Sequence, residues 1–247
     1  MSGFYYKMIV EYDGTNFSGW QIQPRKRTVQ AVLKDAIEKY TRQRVRLTGA
    51  GRTDAGVHAT GQVCSFGLLK KMPVDELYYR INRILPDDIG VKEIVNVSDG
   101  FDPRRDAIWR KYRYYISEYP QPLVRYYQYQ YRRRLNIDIL NKAARLFLGC
   151  HDFTAFCKRK SLKERSYCKV YVSRWFRYGG ALIYEIIADR FLHHMVRRIV
   201  GVMLAVENAK LNLTHIKMFL DNKDNVRFSI PACGLVLTEV RYRKDKK

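Results

Sequence analysis

The chain has 247 residues, enough for one domain or two small ones with a sizeable core, and at 47% hydrophobic and 28% charged it is globular, not disordered. Lys and Arg total 46 against 24 Asp and Glu, a net charge of +22. Such a surplus repels itself in a compact chain and favours a polyanionic partner, with nucleic acid first; a generally basic soluble protein or a ribosomal component is the plainer alternative.

Tyr6, Met8, Val10 and Tyr12 alternate with Lys7, Ile9 and Glu11, which predicts a strand. Asp13-Gly14-Thr15-Asn16 then turns the chain. Thr28 stands where it would N-cap a helix carrying Val29, Val32, Leu33, Ala36, Ile37 and Tyr40. Residues 47–66 read as two extended pieces around a glycine-rich bend. A helix over 74–85 is stopped by Pro86-Asp87-Asp88, and 89–97 is a strand. A second round follows: a strand at 112–116, a helix over 137–148 ending at Gly149, and strands 167–176 and 182–188 paired across Tyr178-Gly179-Gly180. Helices over 191–208 and from Thr214, then a strand over 235–242, close the chain. Each half reads approximately β-α-β-β-α-β, the split βαβ pattern. The expected halves are 1–104 and 105–247, joined near 101–107 with no low-complexity linker, so the two sheets could merge.

Met1-Ser2-Gly3-Phe4-Tyr5 lacks the basic-then-apolar pattern of a signal peptide, and no apolar run is long enough to cross a bilayer. A cytoplasmic protein without a membrane partner is expected. The five cysteines, Cys64, Cys150, Cys157, Cys168 and Cys233, are odd in number and contain no CxxC, which argues against a disulfide framework and a common zinc module. A site built from Cys150, His151 and Cys157 is a conceivable metal grouping. There is no phosphate loop and no dinucleotide fingerprint, so neither a metal nor an organic cofactor is expected.

Many of the 19 tyrosines adjoin Arg or Lys, as in Trp109-Arg110-Lys111-Tyr112-Arg113-Tyr114-Tyr115. Aromatic rings among cations can stack bases and neutralise phosphates; for any single Tyr, a strand-forming aromatic with solvated charges on either side is the better reading. His193-His194 with Arg197-Arg198 suggests a metal or phosphate site. The apolar face of Met195, Ile199, Val202, Met203 and Val206 instead says core helix with a cationic edge. Arg132-Arg133-Arg134 reads as a solvated charge run. The stretch with most chemical character is Gly49-Ala50-Gly51-Arg52-Thr53-Asp54-Ala55-Gly56-Val57-His58-Ala59. If extended, Arg52 and Asp54 point to one side; a turn with a surface ion pair explains the pattern equally well.

Gly51-Arg52-Thr53-Asp54-Ala55-Gly56-Val57-His58-Ala59 resembles the signature of the tRNA pseudouridine synthase A family. Further matches run in order over nearly the whole chain: Glu11-Tyr12-Asp13-Gly14-Thr15 with Gly19-Trp20-Gln21, Leu85-Pro86-Asp87-Asp88-Ile89, and Phe101 with Arg104 and Ala107. Lys111-Tyr112-Arg113-Tyr114, Gly149 with His151-Asp152-Phe153-Thr154, Phe191 with His193-His194-Met195-Val196-Arg197, and Pro231-Ala232 with Gly234-Leu235 complete the set. Asp102 and Val236 depart from the family, where His and an aromatic are common.

The resemblance implies an α+β pseudouridine synthase fold: two ferredoxin-like halves with a merged, mostly antiparallel sheet and a central basic cleft. It implies isomerisation of uridine to pseudouridine at positions 38, 39 and 40 of the tRNA anticodon arm by a homodimer. It makes Asp54 the catalytic carboxylate, Tyr112 the active-site ring, and Arg52 a residue that occupies the space of the displaced base or holds its phosphate; as a nearby cation Arg52 would also orient Asp54 and keep it ionised. Leu235 would floor the base, with Arg104, His193 and Arg197 holding substrate. A non-catalytic RNA-binding protein on this fold, or a synthase acting on another RNA, is the alternative.

Overall fold

The computed structural model describes residues 3–157 and 166–243. Met1 and Ser2 of the N-terminal pattern lie outside the described residues. The chain forms two compact units, Met1–Ile108 with Leu237–Lys247, and Trp109–Val236.

The first unit contains β1 (Phe4–Tyr12), α1 (Val29–Thr41), β2 (Thr48–Gly49), β3 (His58–Leu68), α2 (Val74–Ile84) and β4 (Ile89–Val97), and it receives most of the last strand, β10 (Leu235–Tyr242). β1 is central, antiparallel to both β3 and β4, and β2 lies beside β3. The order β4-β1-β3-β2 is that of a split βαβ unit, with β2 reduced to two residues and β10 also beside β3. The alternation read in β1 is real: Tyr6, Met8, Val10 and Tyr12 are buried while their neighbours are not. Leu33 and Ile37 of α1 and Leu77 and Ile81 of α2 are fully buried. Each such side chain contributes roughly 1.5–3 kcal/mol by leaving water. Leu85 is extended, as a residue before proline tends to be, which ends α2.

Thr28 occupies the N-cap position of α1 but does not cap it. The N–H groups of Val29 and Gln30 are taken instead by the carbonyls of Gly19 and Trp20, at 3.2 and 3.0 Å. The buried Thr28 hydroxyl has no hydrogen-bond partner.

The second unit contains most of β5 (Ala107–Ser117), then β6 (Tyr129–Gln130), α3 (Ile137–Arg145), β7 (Gly149–Asp152), β8 (Tyr167–Tyr178), β9 (Ala181–Ala188), α4 (Met195–Glu207) and α5 (Leu213–Leu220). The sheet runs β5-β9-β8-β7, all antiparallel neighbours, with β6 parallel to the end of β5. β6 and β7 carry too few residues for an alternation to show. The helix expected over 137–148 stops at Arg145, because residues 146–148 tighten into i→i+3 bonds. Asn136 caps it with two side-chain bonds, to the N–H groups of Asp138 and Ile139. The helix expected from 191 starts four residues late, because His194 is left-handed (φ 67°) and cannot lie inside a right-handed helix. Beyond it, Met195, Ile199, Val202, Met203 and Val206 are buried, so the core reading of this helix holds.

Phe147, Phe153 and Phe156 pack at centroid distances of 5.5–6.4 Å, and Phe219 joins them from α5 at 6.2 Å. Asp152 accepts both the N–H and the hydroxyl of Thr154, so the His151-Asp152-Phe153-Thr154 motif acts here as a turn that seats Phe153. No helix among the described residues is long and apolar enough to cross a membrane.

Candidate active site

In the first unit His58 and Ala59 open β3, and residues 51–57 before them lead to it from β2. They turn instead of extending: the Val57 N–H reaches the Asp54 carbonyl at 3.2 Å. Asp54 is half-buried and Arg52 exposed. The surface ion pair read from the sequence is not what Arg52 makes. Its Nε–H donates to Gln21 Oε1 at 3.1 Å.

The loop is mounted on the segment 12–20. The Trp20 N–H donates to Thr53 O (3.1 Å), and the Gly56 N–H to Phe17 O (3.3 Å). The Gly14 N–H donates to His58 Nδ1 (3.0 Å), and the hydroxyls of Tyr12 and Thr53 are 2.8 Å apart. Two glycines permit the approach. A Cβ on Gly14 would sit 2.1 Å from Val57 O, and one on Gly19 (φ +89°) 2.6 Å from Thr53 O. His58 Nδ1 also lies 3.1 Å from Asp13 Oδ1. One nitrogen cannot accept from Gly14 and donate to Asp13 at once. Asp13 Oδ1 also accepts the N–H and hydroxyl of Thr15.

Arg104 lies in a separate exposed turn of the same unit. The Asp102 carboxylate accepts the N–H groups of Arg104 and Arg105 at 2.8 and 3.0 Å, so the Asp at this departure from the family pattern serves as a turn cap.

In the second unit Tyr112 is 8% exposed on β5, and its ring meets Phe191 edge-on at 4.9 Å and 80°. Tyr112 and Tyr114 share a face of β5, as alternation requires. The Tyr114 hydroxyl donates to Pro231 O at 2.9 Å, and the Arg197 Nε–H to Ile230 O at 2.8 Å. The Tyr115 N–H donates to Gly234 O at 2.9 Å, so β5 and α4 together fix residues 230–234 ahead of the buried Leu235. His193 is exposed just before α4. The expected site residues are therefore carried by both units: Asp54, Arg52 and Arg104 by the first, Tyr112, His193, Arg197 and Leu235 by the second.

The model of a family described as tRNA pseudouridine synthase matches residues 8–104 and 143–243. The chain belongs to the tRNA pseudouridine synthase family. It is 40% identical over 240 residues to a protein of Acetivibrio thermocellus named tRNA pseudouridine synthase A, covering 96% of this chain and 98% of that one. Proteins of the same name from Clostridium kluyveri and Bacillus subtilis are 36% identical over 240 and 242 residues, each covering 96% of this chain and 98% of the relative.

The family motifs acquire physical reasons from these contacts. Tyr12, Gly14, Gly19, Trp20 and Gln21 are the mount of the 51–59 loop, a role that sequence reasoning did not assign to them. Only their co-occurrence with that loop hinted at it. Gln62 adds a strut by donating its amide to Gly51 O at 3.1 Å. The alternative metal grouping does not assemble: Cys157 is buried, Cys150 is exposed, and His151 Nε2 lies 2.7 Å from Leu148 O.

Gly14→Ala should destabilise the first unit by at least about 1–3 kcal/mol, the usual cost of overpacking, because backbone and not a flexible side chain occupies the Cβ position. The measurement is the denaturant midpoint. An unchanged midpoint would show that the loop yields and is not rigidly mounted.

Proposed function

We propose that this chain isomerises uridine to pseudouridine in tRNA, at positions 38, 39 and 40 of the anticodon arm. The observation that carries this reading is the complete 51–59 signature, with Asp54 half-buried on a braced turn, in a chain aligned almost end to end with proteins named tRNA pseudouridine synthase A.

The reaction is an intramolecular transfer. The N1–C1′ bond breaks, the uracil turns over, C5 bonds to C1′, and the C5 proton is lost while N1 regains one. Atoms and electrons balance without a cofactor. The target must first leave the stack, because a stacked uridine hides C1′ and C5. Asp54 then attacks C1′ as a nucleophile, as in retaining glycosidases, or removes the C2′ proton to give a glycal. Arg52, tethered at Nε by Gln21, presents its remaining N–H groups to the displaced base or a phosphate. Tyr112 stacks on the uracil and takes part in C5 proton removal, and Leu235 floors the base. Arg104, His193 and Arg197 hold the RNA. The acting species in this reading is a homodimer that lays one tRNA over a basic surface from both subunits.

The decisive test incubates the purified chain with unmodified tRNA transcripts and maps pseudouridine. New pseudouridine at 38–40 is expected. Its absence from the anticodon arm, or its appearance only elsewhere, rejects the assignment.

Binding should depend steeply on salt. With a net charge of +22, Lys and Arg should displace counterions from tRNA, each neutralised phosphate adding a slope of about −0.7 to −0.9 in log K against log salt. A titration of tRNA affinity from low to moderate salt measures it; a flat response would remove charge as the main source of affinity.

A further inference from the structure

We propose that the paired hydroxyls of Tyr12 and Thr53 position the Asp54 carboxylate. The inference rests on Asp54 being the reacting group and assigns positioning roles to two buried residues beside it.

Thr53 directly precedes Asp54 and is 7% exposed. Its side chain and its carbonyl are both fixed: Oγ1 lies 2.8 Å from the Tyr12 hydroxyl, and O accepts the Trp20 N–H at 3.1 Å. Tyr12 ends β1, is 3% exposed, and packs against Trp20 at 6.3 Å between ring centroids. Its position is therefore set by the sheet and not by the loop. On the far side of Asp54, the Val57 N–H holds the Asp54 carbonyl and the Gly56 N–H holds Phe17 O. The backbone that aims the Asp54 side chain is thus clamped one residue before it and two to three residues after. Burial, the largest influence, pushes the Tyr12 hydroxyl well above its ordinary titration range, so it remains protonated at any working pH.

Fixed direction is what this pair supplies. Two buried hydroxyls that pair with each other, the Tyr12 one also bonded to the Gln62 side chain, add little net stability, and Phe with Val would fill nearly the same space. Removing one hydroxyl leaves the other without this partner; removing both does not. That asymmetry separates positioning from mere structure.

The test compares the parent with Tyr12→Phe, Thr53→Val, the double variant and Thr53→Ser. The readouts are single-turnover pseudouridine formation, tRNA affinity, thermal midpoint and the ¹³C carboxyl resonance of Asp54, assigned by its disappearance in Asp54→Asn. Each single variant should slow the reaction about tenfold to a hundredfold, the scale of a misplacement near 1 Å, with tRNA affinity unchanged. The double variant should regain thermal stability but not rate. Thr53→Ser should keep most of the rate that Thr53→Val loses. The Asp54 resonance should move in both single variants and in the double.

A rate that recovers together with stability in the double variant overturns the proposal, as do single variants at the parent rate. If the parent makes no pseudouridine, the proposed function fails. The Asp54 resonance then decides the positioning role alone: movement supports it, and an unmoved resonance overturns it.

Discussion

Asp54→Asn is expected to abolish pseudouridine formation while leaving the fold and tRNA binding intact. The main-chain contacts of the loop do not depend on the carboxylate. Asp54 contributes its main-chain carbonyl to the turn, accepting from the Val57 N–H, and Asn keeps that carbonyl, the side-chain size and the taste for turns. The bracing contacts come from Thr53, Gly56 and His58, which the substitution does not touch. What is lost is the negative charge. An amide neither attacks C1′ nor removes a proton from C2′, so both routes close together. The expected loss is on the order of 10⁴-fold or more, the scale found when a group at the centre of the chemistry is removed. Mapping pseudouridine after long incubation, with tRNA affinity and thermal midpoint measured on the same preparation, gives the result. Appreciable product from a well-folded variant would reduce Asp54 to a turn residue.

Tyr112→Phe should bind tRNA nearly as the parent does and turn over about 10²–10⁴-fold more slowly, the usual worth of acid–base assistance. Phe retains the ring, hence the edge-on contact with Phe191 and any stacking on the base, worth about 1–3 kcal/mol. It deletes only the hydroxyl. Tyr112→Ala should also weaken capture of the flipped base. Tyr114→Phe is the internal control. Its hydroxyl donates to Pro231 O, so its loss should lower stability by about 1 kcal/mol with a milder effect on rate. Single-turnover rates for the three variants separate the cases. Parent-like turnover by Tyr112→Phe would leave Tyr112 as a stacking surface and require another acceptor for the C5 proton.

Much of the secondary structure was legible because its cause is local. The alternation of Tyr6, Met8, Val10 and Tyr12 gives a strand with one buried face, and the last strand has the bounds read from its pattern. Leu85 before Pro86 ends a helix through a clash between neighbouring residues. The 51–59 signature and its companions also sit in the sequence as residue types at fixed spacing, which is why the family could be recognised without a structure.

What the sequence left open depends on partners distant along the chain. Thr28 has the right chemistry for a cap, yet Gly19 and Trp20 reach the first-turn N–H groups instead. Nothing around Phe191 announces that His194 adopts a left-handed conformation and delays its helix to Met195. Arg52 and Asp54, two residues apart, read as an ion pair; the side chain that Arg52 meets is Gln21, 31 positions away. The Tyr12–Thr53 bond spans 41 positions. Local propensity and periodicity report the energy of a segment with itself and with water, and so determined the elements, while the candidate site residues came from the resemblance of the motifs to a family. Hydrogen bonds between distant segments form only once packing has brought those segments together, so the mount of Asp54 was decided by tertiary structure alone.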